Sequence, residues 1–138
     1  MKRIVLWAAA ALVFAACSGA PAAGLQEVTL KAIDINYEPK TIEVVAGQPV
    51  KLTLMNTGVL EHDFNVLTID VKDVKATGGE QAAHNMSGMG SKAVLHIAAP
   101  AGDSAVLEFT PTTPGLYEFF CDVPGHKDAG AVGQLIVK

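Results

Sequence analysis

The sequence predicts an all-β sandwich of seven to eight strands, on three observations. Val, Ile, Leu and Thr recur in short alternating runs, the period of a strand with one buried face. Gly and Pro, 13 and 7 residues, punctuate these runs at strand-length intervals. No stretch of the body carries the apolar period of a helix longer than a turn or two. The chain has 138 residues. Residues 1–17 read as a leader and 18–24 as a flexible tether, which leaves 25–138 as one domain, enough for a single two-layer core.

The leader has a basic start (Lys2, Arg3), an apolar run to Ala16, and then Cys17. The run is short for a membrane span and fits a signal peptide. Phe14-Ala15-Ala16-Cys17 resembles a bacterial lipobox, which implies lipidation of Cys17 and a chain anchored to a membrane only through that lipid. Phe14 departs from the usual Leu, and the competing reading is cleavage after Ala20-Pro21-Ala22 with Cys17 discarded. Either reading places the domain outside the cytoplasm, in the periplasm or on the outer side of a membrane.

The strands follow in order. Residues 25–36 alternate through Val28, Leu30 and Ala32, then turn near Tyr37-Glu38-Pro39. Residues 41–45 and 49–56 are the second and third strands, with Ala46-Gly47 between them. Residues 61–67 form a short strand with His62, Phe64 and Val66 on one face, so His62 is expected inward. Residues 70–92 are polar and glycine-rich, contain His84, Met86 and Met89, and read as a long loop that could hold a short helix. Residues 93–98 and 105–110 are two further strands. Residues 115–121 alternate with Tyr117, Phe119 and Cys121 on one face, and residues 134–138 close the domain.

Between these last two strands lies the stretch that carries chemistry. Cys121 ends a strand, and His126 follows five residues later across Pro124-Gly125, a strong turn signal. A thiolate and an imidazole on one short stiff loop, with His62 on a neighbouring strand, make a soft nitrogen and sulfur donor set. Three such ligands suit copper in either oxidation state. Zinc on the same ligands, with Glu61 or Asp63 as a fourth, is the competing metal, and affinity order favours copper. Cys121 as a merely buried small apolar residue is the plain alternative. His84 and His96 are read as ordinary surface or structural histidines. Cys17 and Cys121 are not expected to pair, and ligation would protect a lone exported thiol.

The pattern resembles the cupredoxins, the small blue copper proteins such as plastocyanin, azurin and auracyanin. The likeness lies in 36–50, in Asn56-Thr57-Gly58 ahead of His62, in Gly115-x-Tyr117-x-Phe119-x-Cys121, and in Cys121, Pro124-Gly125 and His126. It implies a Greek-key sandwich and one copper ion held by His62, Cys121 and His126. His126 would show a ring edge at the surface, rimmed by Val123, Pro124, Gly125, Ala129 and Ala131. Two departures stand out. Gly130 and Ala131 occupy the positions where the family carries its axial methionine, leaving the Glu61 carbonyl, Met86, Met89 or water for that direction. Asp63 stands where plastocyanin and azurin have an asparagine that braces the ligand loop; it can accept hydrogen bonds but not donate them.

The resemblance implies an electron carrier with a single type 1 copper and a redox partner protein in an electron-transport chain. A Cu(I) chaperone handing its ion to a copper acceptor is the second reading, and a partner-binding domain with a decayed site the third. An enzyme is not expected, since no base stands beside a nucleophile. The formal charge is −4, and −6 without Lys2 and Arg3, which argues against nucleic acid as a partner. A monomer is expected.

Overall fold

The computed structural model describes residues 24–78 and 93–138. The expected leader with Cys17, residues 18–23 of the expected tether, and His84, Met86 and Met89 lie outside the described residues. The described chain folds into ten strands: β1 (Gln26–Ala32), β2 (Tyr37–Glu38), β3 (Thr41–Val44), β4 (Val50–Asn56), β5 (His62–Val66), β6 (Val71–Gly78), β7 (Leu95–Ala99), β8 (Ser104–Pro111), β9 (Gly115–Phe120) and β10 (Val132–Val137). They form two five-stranded sheets, ordered β2-β1-β4-β8-β6 and β3-β10-β9-β5-β7. Every connection between described strands except β1–β2 and β9–β10 changes sheet, so the architecture is the expected sandwich.

Alternation drives the assembly. In β4, Val50, Leu52 and Leu54 are buried while Lys51, Thr53 and Met55 are not. In β8, Ala105, Leu107 and Phe109 face the same interior. From the other sheet come Phe64, Leu95, Ile97, Phe119 and Leu135, all in the one core cluster. Burying the two apolar faces against each other is the main stabilising term. Parallel pairing of β1 with β4 and of β3 with β10 ties the early strands to the late ones.

Ten strands exceed the seven or eight expected, for two local reasons. β2 is a two-residue pairing of Tyr37 and Glu38 with Ala32 and Lys31. β6 lies in the stretch read as a loop: it is an edge strand on β8, with a register shift between Lys72 and Lys75 and no buried residue. A strand wet on both faces writes no alternation into the sequence.

β5 is central to the site. It lies between β9 and β7, and all five of its residues are buried. Phe64 and Val66 join the core on the face that also carries His62, and Asp63 and Asn65 occupy the opposite face.

Candidate metal centre

His62 opens β5 and is held by strand pairing, opposite Ala99 of β7. The strand is anchored from below by Asn56, whose amide donates to the carbonyls of Leu60 and Ala99 at 2.7 and 2.8 Å. Cys121 follows the last residue of β9, so its position is set by the β9–β10 ladder. Its backbone N–H donates to the Ala131 carbonyl at 3.0 Å.

Between those two residues the chain closes on itself. The His126 N–H bonds the Val123 carbonyl, and the Ala131 N–H bonds the His126 carbonyl, both at 3.0 Å. Gly125 turns the loop at φ 83, a backbone region that side-chain-bearing residues rarely adopt. The loop is pinned to β5 as well: Asp63 Oδ1 accepts the Asp122 N–H at 2.7 Å, and the Asn65 amide donates to the Phe120 carbonyl at 3.3 Å. Asp63 thus braces the loop purely as an acceptor, and its second oxygen lies 3.8 Å from His96 Nε2.

The result is convergence. One ring nitrogen each from His62 and His126 and the sulfur of Cys121 all lie within 4.8 Å of one another. Cys121 Sγ is 3.3 Å from His126 Nδ1, and the two imidazole rings are 4.7 Å apart, tilted by 38°. His62 is 0% exposed and His126 6%. Both ring nitrogens of His62 are buried without a hydrogen-bond partner. A buried imidazole normally finds partners for its polar atoms, so an unpartnered ring with one nitrogen within 4.8 Å of a thiol and a second imidazole fits a metal-ligand set. The donors, two imidazoles and a thiolate, are those that copper and zinc take.

Electrostatics agree with that fit. Burial lowers the His62 pKa, and the neighbouring His126 lowers it further, against a smaller opposing pull from the Asp34 backbone. The ring is therefore held neutral, the state that ligates. Burial pushes the Cys121 thiol up to about 11, although hydrogen bonding from the Asp63 and Val123 backbone acts the other way. A metal must displace that proton. Burial alone would raise the Asp63 pKa, but bonding from His96, the Asp122 backbone, Cys121 and Asn65 outweighs it and holds the carboxyl below its ordinary value.

Other expectations fall out as follows. His62, Cys121 and His126 come together; Glu61 and Asp63, weighed as a fourth zinc ligand, do not join them among the described residues. Ala131 is fully buried and packs in the core, so it is no part of a surface rim; Pro124, Gly125 and Ala129 are exposed there. His96, read as a surface or structural histidine, is partly exposed and lies beside the Asp63 carboxylate, 3.8 Å from Nε2 to Oδ2. Tyr37, read only as part of a turn, was missed. It is 2% exposed, with its hydroxyl donating to the Asp63 carbonyl and its ring edge-on to those of His62 and Phe119 at 6.4 and 5.5 Å. An aromatic residue two before a proline, within a polar turn, was the signal available.

Comparison with known proteins follows the same line. Residues 5–86 match the family described as the cupredoxin-like domain, a span that includes His62 and stops short of Cys121 and His126. The chain is 33% identical over 104 residues to the copper-resistant cuproprotein CopI of Rubrivivax gelatinosus, covering 75% of this chain and 61% of that protein. It is 32% identical over 130 residues to the protein of the same name from Pseudomonas aeruginosa, covering 76% of this chain and 72% of that one. This chain therefore spans about three fifths of the Rubrivivax relative's length. Reduced auracyanin from Roseiflexus castenholzii superposes with a TM-score of 0.63 at 22% identity, over 82% of this chain and 97% of that one, a likeness of fold. With that sandwich, that sequence match and those relatives, the chain belongs to the cupredoxin family.

Proposed function

We propose that the protein binds one copper ion through His62, Cys121 and His126 and serves as an exported electron carrier whose site lacks an axial methionine. The observation that carries this reading is the convergence of three buried donor atoms within 4.8 Å, from β5 and from a loop already hydrogen-bonded shut. A bound copper ion would supply one-electron redox chemistry. What the protein's own residues contribute is rigidity and dryness. Asp63 and Asn65 fix the ligand loop to β5, so the donors need not move when the charge at the site changes. Phe119, two residues before Cys121, and Ala131, whose carbonyl accepts the Cys121 N–H, are buried in the core and keep water from that side of the site. The expected anchor at Cys17 and a redox partner outside the cytoplasm complete this proposal.

The names of the two curated relatives, both copper-resistant cuproproteins, favour a second reading in which the site hands Cu(I) to an acceptor. The donors' burial weighs against it, since a ligand set built for transfer is better left open. Titration of the purified protein with Cu(II) separates the two. The carrier reading expects one equivalent bound, an intense visible copper–thiolate band, and rapid bleaching and recovery with small-molecule reductant and oxidant. A protein that stays colourless, binds only Cu(I) and yields it readily to a chelator would establish delivery instead.

A further inference from the structure

His96 stands on β7, the edge strand of its sheet, and takes no part in the ligand set. Strand alternation turns it to the outer face, between the inward Leu95 and Ile97. In register it lies opposite Asn65 of β5, and beyond Asn65 comes Phe120, the residue before Cys121. Its Nε2 is 3.8 Å from Asp63 Oδ2, beyond a hydrogen bond but within reach of an ion pair. The other oxygen of that carboxylate, Oδ1, accepts the N–H of Asp122, the residue after Cys121, at 2.7 Å. One side chain therefore joins His96 to the backbone of the ligand loop. The two ends differ in wetness: the His96 side chain is 30% exposed and that of Asp63 12%. Solvent protons reach His96, while the carboxylate beside it is largely shielded.

Charge around His96 is sparse among the described residues. Asp63 faces it from β5, with Asn65 as its neutral neighbour there. From the ligand loop, Lys127 lies over the Phe120 ring, 4.1 Å from Nζ to centroid, and is paired with Glu118, while Asp122 is exposed. On the inner side Leu95 and Ile97 join the apolar core against the other sheet. Burial would raise the Asp63 pKa, but the groups around it, His96 first, hold it below its ordinary value. The carboxylate thus keeps its charge over the range in which imidazoles gain theirs, between about pH 8 and 5.

We propose that His96 is a positioning residue of the metal centre, acting through Asp63: with a proton on its ring it offsets the carboxylate's charge and favours Cu(I), and without that proton it leaves the charge to favour Cu(II). The proton comes from solvent and rests on the imidazole. The inference rests on the copper reading above. A negative charge beside the site stabilises the more positive ion, so offsetting it shifts the balance to the less positive one.

The test compares the parent with His96→Gln, neutral at every pH, and His96→Lys, which stays positive. Cu(I) and Cu(II) affinities are measured by chelator competition at about pH 5.5 and about pH 7.5, either side of the usual histidine range. At the lower pH the parent's ratio of Cu(I) to Cu(II) affinity should match that of H96K. At the higher pH it should match that of H96Q, with about fivefold between the two variants throughout. Proton uptake by His126 acts on all three proteins alike, so comparing them at one pH removes it. The metal-free protein gives a second readout by NMR. There the Asp122 amide resonance should move together with that of the His96 ring as pH is lowered, and that movement should vanish in H96Q. Three proteins with one common ratio, or an Asp122 resonance that moves in H96Q as it does in the parent, would overturn the proposal. A parent that gives no copper–thiolate band would sink the copper reading instead, and the NMR comparison would still decide whether His96 reaches the loop.

Discussion

His62 is a costly residue in the metal-free protein. Its two ring nitrogens are buried without partners, and each unsatisfied polar atom in an apolar setting is destabilising. His62→Leu should therefore abolish copper binding yet leave the metal-free protein more stable by about 1 kcal/mol in urea unfolding. Lower stability for H62L would mean that the ring is satisfied after all. Asp63 carries the opposite expectation. Asp63→Ala removes the acceptor of the Asp122 N–H and exposes a donor at the ligand loop, so stability should drop by about 1–3 kcal/mol and the visible band should broaden. Asp63→Asn retains an oxygen for that bond and should lose markedly less, which the same unfolding series would show. At this scale the sequence was informative about chemistry, and only the family resemblance pointed to Asp63 as a brace, without naming its partners. Cys121 and His126 announce themselves by residue type and spacing across Pro124-Gly125. The partnership of Asp63 with Asp122 and His96, and the reach of Tyr37 across the sandwich, depend on which side chains meet between strands distant in sequence, and no local pattern records that.

β10 shows how an element constrains the site. Gly133 lies where an added Cβ would stand 2.2 Å from Phe119 Cζ and 2.6 Å from the Lys40 carbonyl oxygen. Phe119 is the core residue of β9 two before Cys121, and the backbone of Lys40 cannot swing away as a side chain can. Gly133→Ala should thus cost about 1–3 kcal/mol through overpacking and disturb the adjoining ligand loop, since Gly133 pairs with Phe119 at the loop end of the hairpin. Matched thermal melts and copper spectra would test this; a variant as stable as the parent would show that the ring has room to move. The elements legible in the sequence were those with one wet and one dry face, such as β4 and β8. β6 was not, because its side chains are exposed or half-exposed along its whole length and its pairing with β8 is broken by a bulge. β5 was placed correctly, but its burial on both faces was not foreseen: Asp63 and Asn65 are polar residues made interior by the loop that covers them.

For the whole molecule, the site is a bridge within one sheet, from β5 to the β9–β10 hairpin, and it closes only in the folded state. Copper that binds the native fold and not the unfolded chain stabilises it by mass action, about 4 kcal/mol at a thousandfold excess over Kd. For a domain of this size the melting temperature should rise on the order of 15 °C. Cys121→Ser should keep the metal-free melting temperature within a few degrees of the parent and erase most of the copper-induced rise, as differential scanning calorimetry with and without the ion would reveal.

The most direct measurement is X-ray absorption at the copper edge of protein loaded with one equivalent. The ligands assigned here require one sulfur and two imidazole nitrogens as the close neighbours of a single copper, with the sulfur contribution gone in Cys121→Ser. A first shell of nitrogen and oxygen alone, or a sulfur signal that survives that substitution, would contradict them.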